Sequence, residues 1–269
     1  MKVVLSIAGS DSSGGAGIQA DIKTIQSYGL FAETAITAIT AQNTRGVRAV
    51  QDVSPDVVAA QIDAVFEDIR PDAVKIGMVS SAAIIQVIAQ RLQVHHASNI
   101  VVDPVMVATS GSRLIAEDAV QALTTQLVPL ATVITPNMPE AEVLCGFPVS
   151  NDDDMQRAAE RIAREASGAV LVKGGHLSDA ADDLLALPGG QLIWLRARRI
   201  ASENTHGTGC TLSSAIACGL AQGNTVEQAV RRAKGFVRGA MSTGLNLGKG
   251  SGPLNHMWCH GKPHFPYTN

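Results

Sequence analysis

The chain reads as an α/β domain built on a mostly parallel sheet covered by helices on both faces. Two observations predict this class. Short apolar runs alternate with amphipathic segments almost from end to end, the order that threads helices between parallel strands. With 46% apolar and 17% charged residues in 269, the composition is that of a globular protein with enough chain for one sizeable core. No repeat, low-complexity tract or linker divides residues 1–269, so a single domain is expected.

The elements follow in order. Lys2 to Ala8 reads as a buried strand, and Ala16 to Tyr28 as a helix with Ile18, Ile22 and Ile25 on one face. Glu33 to Thr40 and Val47 to Val53 have strand composition. Ser54-Pro55-Asp56 combines a capping residue, a proline for the first turn and an acid. It predicts a helix whose buried face carries Val58, Ile62, Val65, Phe66 and Ile69.

Ala73 to Val79, Asn99 to Met106, Ala131 to Thr135 and Ala169 to Val172 are strand-like, with helical patterns between them. Leu184 to Leu187 and Gln191 to Ala197, joined by Pro188-Gly189-Gly190, predict a hairpin at an antiparallel edge. Leu212, Ala215, Ile216, Gly219 and Leu220 recur at helical spacing, and Val226 to Met241 forms a last helix.

Several function classes are disfavoured. A net charge of −3 offers nothing for nucleic acid or an anionic membrane to hold. The first residues, MKVVLSIAG, run into Asp11 and a glycine loop, unlike a secretory signal, and no run approaches a membrane span. Cys145, Cys210, Cys218 and Cys259 show no pairing or zinc spacing, so a reducing cytoplasm is expected. His256 to Asn269, with three histidines, Trp258 and Cys259, lacks the second cluster a metal site needs.

Polar residues gather where strands end, the side on which open parallel sheets bind ligands. The first strand runs into Gly9-Ser10-Asp11-Ser12-Ser13-Gly14-Gly15-Ala16-Gly17, either a ligand loop or simply a tight turn. Asp103 ends Ile100-Val101-Val102, and Lys173 ends a buried strand where an ammonium needs an anion, from a salt bridge or a phosphate. Asn137 and Glu140 stand three residues apart, a spacing that suits either a hydrated Mg²⁺ or a helix cap. Cys210 sits at the mouth of an apolar helix, behind Gly207-Thr208-Gly209, where free amides favour an anion. A cation, a helix start, a carboxylate and an Asn/Glu pair on one rim equip a site for phosphoryl transfer. The GxxxxGK[ST] phosphate loop is absent.

The blocks AGSDSSGGAGIQAD, TAITAQNT, KIGMV, VVDPVM, TPNMPEAE, VLVKGGH and NTHGTGCTLSSAIA resemble, in order, the hydroxymethylpyrimidine/phosphomethylpyrimidine kinases of thiamine biosynthesis, within the ribokinase superfamily. The resemblance implies a three-layer αβα sandwich, ATP and Mg²⁺ as cofactors, a small pyrimidine substrate and a homodimer. It assigns Gln42 to the aminopyrimidine edge and Met78 to the ring, with Gly9, Asp21 and Val105 also on the substrate. Asp103, Asn137, Glu140 and Thr205 fall on the ATP phosphates, and Lys173 neutralises the transferred group. Gly207, Thr208 and Gly209 supply backbone donors, and Cys210 stands where many relatives carry a basic Asp. A helix N-terminus is expected to lower the thiol's pKa from about 8.5. Cys218 falls on the apolar face and reads as inert core. Pyridoxal and pyridoxine kinases share the fold and a hydroxymethyl-bearing heteroaromatic substrate, and are the rival reading.

Overall fold

The computed structural model describes residues 1–106, 117–175 and 181–260. Nine strands form one sheet in the order β3-β2-β1-β4-β5-β6-β7-β8-β9. They are β1 (Val3–Asp11), β2 (Phe31–Asn43), β3 (Gly46–Asp52), β4 (Ala73–Ile76), β5 (Ile100–Val102), β6 (Val133–Ile134), β7 (Ala169–Val172), β8 (Asp183–Ala186) and β9 (Leu192–Leu195). The pairings from β2 through β1, β4, β5 and β6 to β7 are parallel. The β8–β9 hairpin is antiparallel, as predicted, and β3 forms a second antiparallel edge by folding back on β2.

The helices are α1 (Gly17–Ser27), α2 (Pro55–Asp68), α3 (Ala82–Val94), α4 (Glu117–Ala122), α5 (Met138–Cys145), α6 (Asp152–Ala163), α7 (Thr208–Ala221) and α8 (Val226–Ser242). Two cores result. Ile62, Ile84, Ile88, Ala119, Met138 and Met155 place α2 to α6 against one face. Ile25, Leu212, Ile216, Ala229 and Phe236 place α1, α7 and α8 against the other. This is the expected three-layer sandwich. Its interior helix α7 is buried all round from Thr211 to Ala221, which is why its sequence is apolar on every side.

Local chemistry departs from expectation in two places. Ser54 is the N-cap of α2 but its side chain makes no cap hydrogen bond, so Pro55 with its fixed φ carries that start. The strand expected over residues 99–106 ends at Val102, because Asp103 turns out to the rim and Pro104 cannot donate to a ladder. Chain order reverses between β1 and β4, and a crevice opens at such a switch point.

The C-terminal stretch is packing. His256 accepts or donates at 2.9 Å to Thr211 of α7, and burial, then nearby Lys23, push its pKa down to about 4. Trp258 packs on Phe236 with ring centroids 6.1 Å apart, and Cys259 is buried. Residues 261–269 and His176 lie outside the described residues.

Candidate active site

The carboxyl ends of β1, β4, β5, β6 and β7 open onto a cavity of about 1010 Å³, closed on the far side by α7 and α8. Of the residues singled out in the sequence, Gly9, Gln42, Met78, Asp103, Val105, Asn137, Glu140, Lys173, Thr205, Gly207, Thr208, Gly209 and Cys210 all line it. Asp21 does not. Its side chain is fully buried beneath the cavity floor, in an ion pair with Lys75, so the expected substrate contact is corrected. Asp21 accepts from Lys75, Ser6 and Ser214 and has no face left for a ligand.

The charged wall begins at Lys173, the first residue beyond β7. Its Nζ donates to Asp103 Oδ1 at 2.9 Å and lies 3.9 Å from Glu140 Oε2. Asp103 also accepts from Thr135 at 3.0 Å and Ser213 at 3.4 Å. Burial opposes its charge, but Lys173 and Lys75 outweigh burial and hold the carboxyl below its usual range. Glu140 is pushed the other way, to about 7, chiefly by burial. One wall thus holds an ionised carboxylate, an ammonium and a carboxyl poised near neutrality.

Asn137 and Glu140 form a capping box at the start of α5. Asn137 Oδ1 accepts from the Glu140 amide at 2.9 Å, and Glu140 Oε2 from the Asn137 amide at 2.8 Å. The cap therefore takes the Asn137 oxygen expected on Mg²⁺. Glu140 and Asp103 still give the rim a pair of hard oxygen donors, which fits a hydrated divalent cation that takes its other ligands from phosphates. Among the described residues no group of three His, Cys, Asp or Glu side chains could hold a metal.

The opposite wall is the start of α7. Gly207 is its N-cap at φ 83°, and a Cβ there would lie 1.8 Å from the Gly15 carbonyl. Only glycine fits. The first helical bond runs from the Thr211 amide to Gly207 O, while the Thr208 amide turns back to Thr205 O at 3.3 Å. Of the expected donors the Thr208 amide is thus taken, while the Gly207 and Gly209 amides, with that of Cys210 beside them, have no backbone acceptor among the described residues. Cys210 is half-buried at the cavity. Burial pushes its thiol up to about 11, against the expected lowering, because desolvation exceeds what Lys75 and the Gly17 amide return. Cys218, wholly buried, is pushed well above its ordinary value by burial, as an inert core thiol should be.

The glycine loop is not a phosphate cradle. Its donors turn inward onto Asp11, whose carboxylate accepts from the Ser13, Gly15 and Ala16 amides and from the Ser13 hydroxyl. His206 Nε2 meets the same carboxylate at 2.8 Å and stands 3.5 Å from the Gln42 amide nitrogen. Burial opposes the Asp11 charge, but the bonds from His206 and the loop hold it well below the usual carboxylate range. The sequence reading missed both His206 and Lys75. His206 stands inside the quoted block NTHGTGC, and Lys75 opens KIGMV, where a charge inside an apolar strand was the available signal.

The sequence profile of phosphomethylpyrimidine kinase matches residues 11–255. A hydroxymethylpyrimidine/phosphomethylpyrimidine kinase of Rhizobium meliloti is 52% identical over 257 residues, covering 94% of this chain and 96% of its own. The Escherichia coli enzyme of that name is 44% identical, with the same coverages of 94% and 96%. Among solved structures, an ADP complex of Bacillus subtilis pyridoxal kinase superposes with a TM-score of 0.90 at 37% identity, over 97% of this chain and 100% of that one. A phosphomethylpyrimidine kinase from Clostridium difficile gives 0.79 at 47% identity, over 88% of this chain and 98% of that one. With residues 11–255 matched by the family profile and 94% of its length by a relative 52% identical, this chain belongs to the phosphomethylpyrimidine kinase family.

Proposed function

We propose that the protein transfers the γ-phosphoryl group of ATP to the hydroxymethyl oxygen of 4-amino-5-hydroxymethyl-2-methylpyrimidine, and then phosphorylates the resulting monophosphate, making the diphosphate used in thiamine biosynthesis. One observation carries the reading. A single cavity has the Lys173–Asp103 pair and the start of α7 around one part of its wall, with Gln42 and Met78 lining the same space.

In this reading the Gln42 amide pairs with the aminopyrimidine edge, using its donor and acceptor together. Met78 and Val105 pack on the ring, and Gly9 leaves room for it, since a Cβ there would stand 3.1 Å from the Met78 sulfur. Lys173 neutralises charge on the transferred group, while the Gly209 and Cys210 amides receive its oxygens. Thr205, Asn137, Glu140 and Asp103 border the ATP phosphates. Glu140 and Asp103 would hold Mg²⁺ through water, and the ion would supply positive charge against the negative charge of the phosphates. Cys210 takes the acceptor proton as the oxygen attacks phosphorus.

Mass analysis of products after incubation with ATP, Mg²⁺ and the pyrimidine alcohol tests the reading. Diphosphate is expected, and monophosphate alone after exhaustive incubation would reduce it to one step. Pyridoxal phosphorylation is the second reading, favoured by the close superposition on a pyridoxal kinase. Competition between the two alcohols in one ATP-dependent assay separates them. A cytoplasmic homodimer belongs to the same proposal. Sedimentation tests the assembly.

A further inference from the structure

Lys75 on β4 is among the largest side chains to be sealed completely inside the molecule. Its Nζ donates to both oxygens of Asp21 on α1, at 3.0 and 2.8 Å. Ser6 of β1 donates to the same carboxylate at 2.6 Å, and Ser214 of α7 at 2.7 Å. All charges and acceptors are matched. Yet a sealed pair of this kind is weak evidence of stability, because apolar residues of similar volume often do as well. Its position suggests another role.

Ser214 follows Cys210 by four residues on α7, so the two share a face one turn apart. The pair therefore lies directly under the helix start that carries the thiol. Its ammonium stays sealed beside Gly77, where a Cβ would come within 2.5 Å of Nζ, just before this segment reaches the cavity at Met78. Each element packed around the sulfur contributes a group: Lys75 from β4, Asp21 and the Gly17 amide from α1, Asp103 beyond β5 and Lys173 beyond β7. Lys75 is the strongest of the charges that favour the thiolate over the thiol, and Asp21 and Asp103 oppose it.

We propose that Lys75 is a positioning residue for Cys210: the sealed pair presents its ammonium to the sulfur and sets how readily the thiol gives up its proton. The inference rests on the reading of Cys210 as the group that takes the acceptor proton. In that step the thiol first loses its proton to water in the cavity. The thiolate then takes the acceptor hydroxyl proton while the new O–P bond forms and the bond from phosphorus to the ADP oxygen breaks.

The test is the pH dependence of Cys210 alkylation by iodoacetamide in the full chain, followed by peptide mass so that buried Cys145, Cys218 and Cys259 are counted apart. Asp21→Asn keeps Lys75, the side chain's shape and one accepting oxygen but removes the opposing charge. The alkylation midpoint should fall, with Cys210 reacting roughly tenfold faster at pH 8, the effect of about one unit from a nearby charge. Lys75→Met combined with Asp21→Asn should raise the midpoint and slow the reaction by a similar factor.

Opposite signs mark an effect of charge, because loosened packing would expose the thiol and speed both variants alike. Ser6→Ala, which weakens the network with both charges kept, should lower Tm and leave the midpoint in place. Shifts of the same sign, or no shift, overturn the proposal. Should the double variant not fold, an unchanged or slower Asp21→Asn reaction overturns it alone. Measured beside these, kcat at pH 7 should follow the thiolate fraction. If the midpoints move as expected and kcat does not follow, the tuning of the thiol stands and the reading of Cys210 as the base falls.

Discussion

Lys75 and Asp21 are 2.8 Å apart with both side chains wholly buried, whereas Lys173 and Asp103, 2.9 Å apart, leave the lysine 15% exposed to the cavity. The geometry of the two pairs is nearly the same and their surroundings differ. Asp21 receives two serine hydroxyls that complete its coordination and close it off. Lys173 is shared unevenly between Asp103 and the more distant Glu140, and so keeps donor capacity for an incoming phosphate. What separates an ion pair that supports a site from one that works in it is access, because a sealed ammonium acts only through its field while an exposed one can also donate hydrogen bonds.

The largest expected effect breaks the sealed pair. Lys75→Met leaves Asp21 buried without a counter-charge and should lower unfolding free energy by about 3–5 kcal/mol, read by urea denaturation. A loss under 1 kcal/mol would mean that water reaches this network. Lys173→Ala should act on rate instead, lowering kcat by a factor on the order of 10² or more. Its Tm should fall less than that of Lys75→Met, since Asp103 keeps Thr135 and Ser213 and faces the cavity. An unchanged kcat with a large Tm loss would place Lys173 with Lys75 as structural.

Gln42 belongs to neither pair and sharpens the contrast as a neutral control. Gln42→Leu should weaken pyrimidine binding by about 1–3 kcal/mol and leave ATP affinity intact, measured by calorimetry with each ligand. Equal losses for both ligands would indicate damage to the fold. Smaller still is the effect of adding a carboxylate to the wall opposite Asp103 and Glu140. Cys210→Asp should retain much of the first phosphorylation and lose a further factor of roughly ten on the monophosphate, about 1.4 kcal/mol of repulsion. Cys210→Ala should slow both steps alike, and equal impairment by Asp would remove charge avoidance as the reason for a thiol.

A further expected effect is in pH dependence. Burial holds the Glu140 carboxyl at about 7 in the folded chain, above its ordinary 4.5. The unfolded chain then binds fewer protons between those values, so this group's contribution to stability is present below about pH 4.5 and is lost as pH rises towards 7. Glu140→Gln should flatten that decline in Tm against pH.

Much of the site was legible because the rim residues sit at strand ends that local sequence marks. Lys173 follows four apolar residues, Asp103 precedes a proline, and Gly207 precedes a helical period. Two kinds of residue were misread. Asp21 shares a quoted block with cavity residues but lies one helical turn below cavity-lining Gly17 on α1, and block membership carries no depth. Asn137 and Glu140 had two local explanations of equal standing, and only the positions of their oxygens decided for the cap.

By itself the sequence determined the alternation of strands and helices, the hairpin edge and the glycine at the start of α7, because apolar period and turn chemistry act over a few residues. It did not determine that β3 folds back on β2, nor which charges meet. Lys75 and Asp21 are 54 residues apart, Lys173 and Asp103 are 70, and His206 and Asp11 are 195. The tertiary structure also decided the state of Cys210. A helix N-terminus alone favours the thiolate, but the layers that close over α7 remove water from the sulfur, and that desolvation exceeds the pull of the local amides and of Lys75.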